Sequence, residues 1–453
     1  IQYLTRCKPF NTHDKDWVPR VAMPQRLPST ANKTREDTPM HTPLKLLPFA
    51  LIALLLAMAG SHAATNEQAL ESWPDWAREA MAKESKRMKF RTVDTSDSSF
   101  SSKLPGKHST PEAFDGGWYF QSDIKAGSPF ECYIWNESMN LASLTNIMSE
   151  TAIKSVAEGN GTISQRTVFD IDAGEIAGTP YLALEWLYII QGETQAAAGF
   201  TKVRAASKGD MSFVCTHNYL GYRETFAKGF AEFVSNATYK DTSPVPYYEE
   251  ITKLDLGSLG SGIAHTSYTV DEDGDIKMNL LDASIAAADP STIITSDSYT
   301  ITYTQPDGTL INSYSVSLEN GEITANLSLE RDDNDMWISS GTLQGKEISV
   351  EIDGSLTPAS ELEQIAMAKE LFAGEETTLG TQIWLADVDP TSFIETTITR
   401  DDAEIPRQAI LTLGPLSVTG RFDEDGNMRD ADMEVGPVSM EIRRIWSNGS
   451  LNR

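Results

Sequence analysis

The sequence has few of the residues that most often carry catalysis or bind metal ions. Its 453 residues include six histidines and three cysteines, and no G-x-S-x-G nucleophile elbow is present. The acidic runs at 271–275 and 332–335 offer the oxygen ligands that Ca²⁺ prefers, but neither matches the full calcium-binding loop pattern. We therefore expect turns at both runs, and we expect no metal site and no cofactor.

Positive charge is also scarce. Lys and Arg number 37 against 65 Asp and Glu, which gives a formal net charge of −28 at pH 7. An acidic surface repels the phosphates of nucleic acids and the head groups of anionic lipids, so we expect no nucleic-acid partner. The acidic residues are spread over turns and strand ends, a distribution typical of a solvated surface.

Long hydrophobic runs are scarce as well, and the longest lies within residues 40–63. Lys45 precedes fifteen mostly apolar residues at 46–60, and Ser61 and Ala63 supply the small residues of a cleavage site. The run is shorter than the roughly 20 residues of a membrane span. The sequence therefore predicts a signal peptide that is cleaved after Ala63, with an uncleaved N-terminal anchor as the alternative.

The predicted signal peptide sets the expected location of the protein. We expect a periplasmic protein, with secretion as the alternative, and no stable membrane insertion after cleavage. Residues 1–39 begin with Ile1 and show no sustained helical or strand period. They are interpreted as a non-native upstream extension and are left out of the fold.

Two cysteines remain after residue 63, Cys132 and Cys215. Both are flanked by apolar, strand-like residues, and exported proteins fold where disulfides form. The sequence therefore predicts a Cys132–Cys215 disulfide. The alternative is a nucleophilic pair of Cys215 with His217, which lies two residues further along the same strand face.

The chain after the signal peptide divides by composition into three parts. Residues 64–110 combine an amphipathic helix with a Ser- and Gly-rich linker. Residues 111–241 alternate strand-like segments with two helical ones, which predicts an α+β sandwich with helices on an antiparallel sheet. A Pro- and Gly-rich stretch at 242–262 is interpreted as the linker to a β-rich domain at 263–453.

The order of elements in residues 111–238 resembles the PsbP/Mog1-like α/β/α sandwich of bacterial secreted proteins. A strand leads into a long helix, a meander of strands follows, and the last strand, MSFVCTHN, leads into the closing helix YRETFAKGFAEFVSN. The resemblance implies a small accessory or binding domain. It implies no particular site residue, because the functional residues differ between members of that family.

Residues 263–453 are dominated by strands with period-two alternation, as in SYTITYT and EITANLSL. Dipeptides that favour hairpin turns separate the strands, at 273–274, 307–308, 320–321, 353–354 and 425–426. One helix, capped by Thr357 and ended by Gly374, interrupts them.

The expected fold class is therefore α+β. An N-terminal antiparallel sheet with packed helices is followed by a mostly β, antiparallel curved sheet or partial barrel, with one helix against its open side. A curved sheet of this kind can hold a ligand in its concavity.

Asp387 and Asp389 are the candidate catalytic carboxylates. They follow Trp384 at a predicted strand end, and paired carboxylates beside an aromatic side chain are typical of glycosidases. Asp389 also precedes Pro390, and Asp before Pro commonly ends a strand, so a purely structural role is the alternative.

Together these features predict an exported periplasmic protein that acts by binding rather than catalysis, as a binding or accessory protein of the bacterial envelope. Its partner is expected to be a small apolar molecule or an envelope protein. Two alternatives remain open, a hydrolase of envelope carbohydrate or ester that uses Asp or Glu, and a structural or adhesive secreted protein.

Overall fold

The computed structural model describes residues 75–240, 243–401, 405–414, 416–435 and 438–451. The predicted upstream extension (1–39), the signal peptide (40–63) and the cleavage site after Ala63 lie outside these residues. Antiparallel strands dominate the described chain, and four α-helices accompany them, in agreement with the α+β expectation.

Residues 75–240 form a small sheet, a larger sheet and three helices. The elements are α1 (Asp75–Met81), β1 (Phe90–Asp94), β2 (Phe100–Pro105), β3 (Lys107–His108), β4 (Glu112–Phe114), β5 (Gly117–Ala126), β6 (Ser128–Trp135), α2 (Leu141–Ala157), β7 (Thr162–Ile176), β8 (Thr179–Gln191), β9 (Ala196–Lys208), β10 (Met211–Asn218), α3 (Arg223–Ser235) and β11 (Thr238–Tyr239).

The small sheet corrects the prediction of an irregular linker before residue 110. β1 and β2 pair with each other, and β2 pairs with β11. Val93, Phe100 and Leu104 belong to the same buried cluster as the aromatic side chains of α3, whereas Lys103 is exposed. The segment was predicted as a linker because of its Ser- and Lys-rich composition. Its strands form because these three apolar residues are buried against α3.

The larger sheet of this part carries a helix on each face. Its strand order is β3-β5-β6-β10-β9-β8-β7, with β4 paired to β5, and every pairing is antiparallel. In β10, Val214 packs with α2, whereas Phe213 and Cys215 pack with α3. Because consecutive residues of a strand point to opposite faces, α2 and α3 cover opposite sides of the sheet.

Residues 243–451 form a sheet of fourteen strands and one helix among the described residues. The elements are β12 (Tyr248–Asp255), β13 (Gly260–Val270), β14 (Ile276–Asp289), β15 (Thr292–Thr304), β16 (Leu310–Glu319), β17 (Glu322–Arg331), β18 (Trp337–Leu343), β19 (Lys346–Ile352), α4 (Glu361–Ala373), β20 (Thr378–Leu385), β21 (Asp389–Arg400), β22 (Gln408–Leu413), β23 (Leu416–Phe422), β24 (Met428–Val435) and β25 (Val438–Gly449).

The order of these strands is β19 back to β12, then β25 back to β20. The first and last strands of this part, β12 and β25, are therefore neighbours in the middle of the sheet. The two edge strands, β19 and β20, are joined through α4, which packs on β20 and β21. β19 also contacts β21, so the sheet curves round on itself with α4 at its open side, as predicted.

The predicted linker at 242–262 was wrong over most of its length. It contains β12 and the beginning of β13, both within the large sheet. Tyr248, Ile251 and Leu254 are all buried, and these apolar side chains bind the segment to the sheet. The Gly-rich motif within it forms a tight turn, a 3₁₀ segment at Gly257–Leu259 that starts with a positive φ of 62° at Gly257.

Most of the hairpin turns predicted from dipeptides lie where the structure has hairpins. Four of the five predicted hairpin dipeptides join consecutive antiparallel strands, and the fifth, at 353–354, leads from β19 towards α4. The predicted cap of that helix was one turn too early. Ser360, not Thr357, caps α4, because Glu363 three residues later completes a reciprocal capping box with it.

One carboxylate links the two parts of the chain. Asp297 of β15 is 3 % exposed, and its two carboxylate oxygens accept hydrogen bonds from the backbone N–H groups of Ala142 and Ser143, at 2.7 and 2.9 Å. The Ser143 hydroxyl donates a third, at 2.6 Å. These are the first turns of α2, where N–H groups have no partner within the helix. A residue of the large sheet thus caps a helix of the preceding α/β/α sandwich.

Candidate functional site

The curved sheet and α4 enclose a cavity of about 230 Å³. Its wall on β13 and β14 follows from the strand register, because Tyr268 lies opposite Met278 and Thr266 lies opposite Leu280. All four side chains line the cavity. Residues of a strand alternate between the two faces of the sheet, so every second residue of β13 and β14 faces the cavity, and we call these residues the inward row. Leu281, the neighbour of Leu280, belongs to the other face.

The rest of the wall comes from α4 and from the strands on the far side of the sheet. Most of these side chains are apolar and flexible or aromatic, and methionine in particular adapts to ligands of irregular shape. The apolar lining from these elements consists of Ile365, Met367, Ile398, Leu411, Phe422 and Met428.

A few polar groups interrupt this apolar lining. Glu250 is paired with Arg444, with 3.4 Å between Oε2 and Nη1, and it accepts a hydrogen bond from the Tyr248 hydroxyl at 2.7 Å. Glu361, at the start of α4, has no cation within salt-bridge distance among the described residues. Burial raises the pKa of its carboxyl group.

Thr396 on β21 is the second polar group of note in the lining. It is 6 % exposed, and its hydroxyl has no hydrogen-bond partner among the described residues. A buried polar group without a partner is costly, because it loses its bonds to water without replacement. A ligand with a hydrogen-bonding group would remove that cost.

Further along the same inward row, two carboxylates from distant parts of the chain come close to it, Asp282 from β14 and Asp387 from the turn between β20 and β21. Asp282 on β14 lies opposite Ser298, which lies opposite Ser317, and the two serines reach different acids. The Ser298 hydroxyl donates to Asp282 at 3.1 Å, and the Ser317 hydroxyl donates to Asp387 at 2.7 Å. The remaining Asp387 oxygen, Oδ1, is buried and has no hydrogen-bond partner in the described part of the chain.

Both carboxyl groups of this pair are perturbed by their surroundings. Burial raises the pKa of Asp282 to about 7, and the charge of Asp387 raises it further against the opposing hydrogen bond from Ser298. Burial also raises the pKa of Asp387, although the hydrogen bond from Ser317 opposes the shift. At neutral pH the Asp282 carboxyl group is therefore close to its point of ionisation.

We expect this pair to make the protein less stable as pH rises from about 4 to 7. In that window folded Asp282 keeps a proton that an unfolded carboxyl group, with a pKa of about 3.9, has lost. Asp282 should lower the free energy of unfolding by about 2 kcal/mol over this window. This is roughly half of the free energy that corresponds to its pKa shift, because the side chain is only partly buried. Urea unfolding of the wild type and of Asp282→Asn across the window measures the difference.

The expected pattern is specific to one variant. Asp282→Asn should match the wild type near pH 4 and exceed its stability near pH 7.5, whereas Asp273→Asn, in an exposed turn, should follow the wild-type curve throughout. A constant difference between Asp282→Asn and the wild type at all pH values would contradict the assignment.

The two candidate carboxylates of the sequence have different surroundings. Asp387 lies in the turn between β20 and β21 and accepts the hydrogen bond from Ser317 on the inward row. Asp389 accepts hydrogen bonds from Thr391 and Ser392 within its own turn. Burial alone would raise the pKa of Asp389, but these hydrogen bonds outweigh it and hold the pKa below its usual value. The partner that the structure gives Asp387 is Asp282, which the sequence did not single out.

The cysteines are joined as predicted. Cys132 on β6 and Cys215 on β10 face each other across adjacent strands and form a disulfide, with both side chains fully buried. A thiolate nucleophile at Cys215 is therefore excluded in this state. His217 is buried and stacks on Phe226, with ring centroids 6.2 Å apart.

The acidic runs form turns, as expected. Asp271 accepts backbone N–H groups of residues 273 and 275, and Asp332 accepts those of residues 334 and 336. Within the described ranges no cluster of three or more His, Cys, Asp or Glu side chains could hold a metal ion. Nor does any helix in those ranges have the length and apolarity to cross a membrane.

A second depression, of about 560 Å³, lies beside β3, β5 and β6. It is lined largely by polar side chains, among them Lys107, Gln121 and Asp123. It offers less of the apolar surface that binds small molecules than the cavity under α4, which is therefore the better candidate.

Comparison with known proteins gives only distant likenesses. No family model and no curated protein sequence matches the chain. A β-barrel-like protein of the domain of unknown function DUF1849 from Brucella abortus has 14 % identity and a TM-score of 0.35, over 45 % of this chain and 98 % of its own.

Two further solved structures are similar over smaller parts of the chain. The PsbP protein of the cyanobacterium Synechocystis (CyanoP) has 10 % identity and a TM-score of 0.24, over 33 % of this chain and 92 % of its own. A DUF1089 family protein from Pseudomonas aeruginosa has 12 % identity and a TM-score of 0.21, over 42 % and 92 %. The neighbours thus include a PsbP protein, the family that residues 111–238 resemble, but TM-scores this low support no assignment.

Sequence reasoning missed the residues of this site for a physical reason. Asp282, Glu361 and Thr396 come from three elements that only the curvature of the sheet and α4 bring near one cavity. One signal was available, because Asp is disfavoured inside a strand such as NLLDASIAA and its presence there requires a compensating environment.

Proposed function

We propose that this protein binds a small, mostly apolar molecule in the cavity between α4 and the curved sheet. The observation that carries the proposal is the cavity itself, about 230 Å³ with an apolar wall and a few polar groups, since ligand sites in proteins commonly combine these features. The role is that of a binding or accessory protein rather than of a catalyst.

Export is part of the same proposal. The segment at 40–63 has the pattern of a signal peptide, and the buried Cys132–Cys215 disulfide supports folding in an oxidising compartment. We place the protein in the periplasm, as a carrier or accessory factor of the envelope. The intact mass of protein purified from its native host tests cleavage after Ala63.

Binding of a neutral apolar probe should depend on the cavity. N-phenyl-1-naphthylamine, whose fluorescence rises in apolar surroundings, is expected to bind the wild type. Leu280→Trp places a large side chain in the cavity and should weaken the titrated affinity at least tenfold. Leu281→Trp is the matched control, because Leu281 belongs to the opposite strand face and is 37 % exposed.

The two variants separate the proposal from general damage. Both add the same side chain to the same strand, and far-UV circular dichroism of each variant checks that it is folded before its affinity is compared. No saturable binding to the wild type, or equal loss in the two variants, would contradict a ligand site in the cavity.

A further inference from the structure

The charges around the cavity restrict the class of molecule that it can hold. The lining includes the carboxylates Glu250 and Glu361, and none of the described lining residues is Lys, Arg or His. Asp282 lies further along the same row of β14, and Asp387 reaches that row through Ser317. An anionic ligand would meet like charge in the lining itself, where the nearest cation, Arg444, is already paired with Glu250 and Asp423, within a protein of net charge −28.

The two lining carboxylates differ in what they can still bind. Arg444 is 14 % exposed in its side chain and pairs with both Glu250 and Asp423, at 3.4 and 2.7 Å. Glu250 is thus already provided with a cation. Glu361 has none among the described residues and is displaced from water by its position, so a cationic ligand group would be its natural partner.

Two other features of the lining suit the same ligand group. The Thr396 hydroxyl, buried and without a partner, can accept a hydrogen bond from an ammonium N–H. Tyr268 and Phe422 present aromatic rings in the same lining, and an organic cation is attracted to the faces of such rings. Acceptors and aromatic rings without a competing cation form the environment that recognises an amine.

We infer that the ligand is an amine with an apolar body, whose ammonium group lies near Glu361 and Thr396. This inference rests on the proposed function and narrows it to one chemical class. The apolar body contacts Met278, Leu280 and Ile398. Its size is limited by the cavity of about 230 Å³.

Three ligands of equal chain length test the class. Octylamine, octanol and octanoate differ only in their polar end, and isothermal titration calorimetry at pH 7.5 measures each with the full protein. Octylamine should bind at least tenfold more tightly than octanoate, with octanol between them. Glu361→Gln should remove most of the advantage of octylamine over octanol and leave octanol itself unchanged.

Two more variants assign the effect to its residues. Glu370→Gln removes one negative charge from an exposed position of the same helix and should leave all three affinities unchanged. Thr396→Val keeps the shape of the side chain, removes the hydroxyl, and should weaken octylamine and octanol together by a fewfold.

The outcomes distinguish the inference from the proposed function. If none of the three ligands binds, and the neutral probe does not bind either, the cavity is not a ligand site and both proposals fail. Equal affinity for the three ligands, or tighter binding of octanoate, would overturn the inference while leaving the binding function in place. Loss of the octylamine preference in Glu370→Gln would assign it to overall charge and would also overturn the inference.

Discussion

Replacing Cys132 and Cys215 together by alanine is expected to lower the free energy of unfolding by about 5 kcal/mol. The disulfide closes a loop of 83 residues, and loss of this constraint lets the unfolded chain gain entropy equivalent to roughly 4.5 kcal/mol. The bond also lies in the aromatic core beside α3, so small cavities add to the loss. Urea unfolding curves of wild type and variant under non-reducing conditions give the measurement.

Single substitutions provide the internal control. Cys132→Ala and Cys215→Ala each break the same bond, so each should lower the free energy of unfolding by about as much as the double variant does. If the losses came from independent packing effects, the loss of the double variant would instead be the sum of the two single losses. Addition of a reductant should move the wild-type curve towards that of the variants. A double variant within 1 kcal/mol of the wild type would show that the bond contributes little.

Asp297→Ala is expected to cost about 3 kcal/mol. The substitution leaves two backbone N–H groups and one hydroxyl at the start of α2 buried without an acceptor, and hydrogen bonds to charged groups contribute about 1.5 to 3 kcal/mol each before compensation. It also removes the negative charge that favours a helix N-terminus. Thermal and urea unfolding, followed by tryptophan fluorescence and by far-UV circular dichroism, measure the loss.

Asp289→Ala is the matched comparison for that variant. Asp289 also accepts hydrogen bonds from a backbone N–H and a hydroxyl, those of Ser291, but within an exposed turn. Water can replace Asp289, so its loss should be below about 1 kcal/mol. Similar losses for Asp289→Ala and Asp297→Ala would show that burial between the two sheets is not what makes Asp297 important.

Local signals predicted the secondary structure well where one residue type decides the conformation. Asn-Gly and Asp-Gly pairs marked hairpins, and Gly374 marked the end of α4. The disulfide was also predictable, because the two cysteines that follow the predicted signal peptide leave a single pairing. Segments whose strands depend on a few buried residues, such as Tyr248 in the supposed linker, were predicted wrongly because their local composition resembles loops.

The inward face of the curved sheet was harder to predict. Alternation in SYTITYT marks Tyr299, Ile301 and Tyr303 as one face of the strand, and the structure buries Thr302 and Thr304 on the other face. Hydroxyl side chains can fill an interior when they bond across strands, as Thr302 does with Ser313 at 3.3 Å. Periodicity identifies two faces of a strand, but it does not decide which one the curvature encloses.

The candidate site depends on tertiary structure to the greatest degree. Asp387 was singled out for its neighbour Trp384, but its environment is set by Ser317 and Asp282, which lie 70 and more than 100 residues away in the chain. The amide partners of Asp297 lie about 155 residues away. No local pattern carries such information.

The strand order has a consequence for how the chain folds. Apart from the β12–β25 pair, every strand of the large sheet pairs only with its neighbours in sequence. Strands β12 to β19 and β20 to β25 can therefore form two meanders early, from local contacts. Their union requires β12 to pair with β25, which brings Tyr248 opposite Gly449. Until β25 has left the ribosome, one edge of β12 offers free N–H and C=O groups to any strand it meets. A chain that ends after β24 would keep that edge of β12 unpaired. We expect such a chain to aggregate rather than to fold into a soluble protein that lacks only β25.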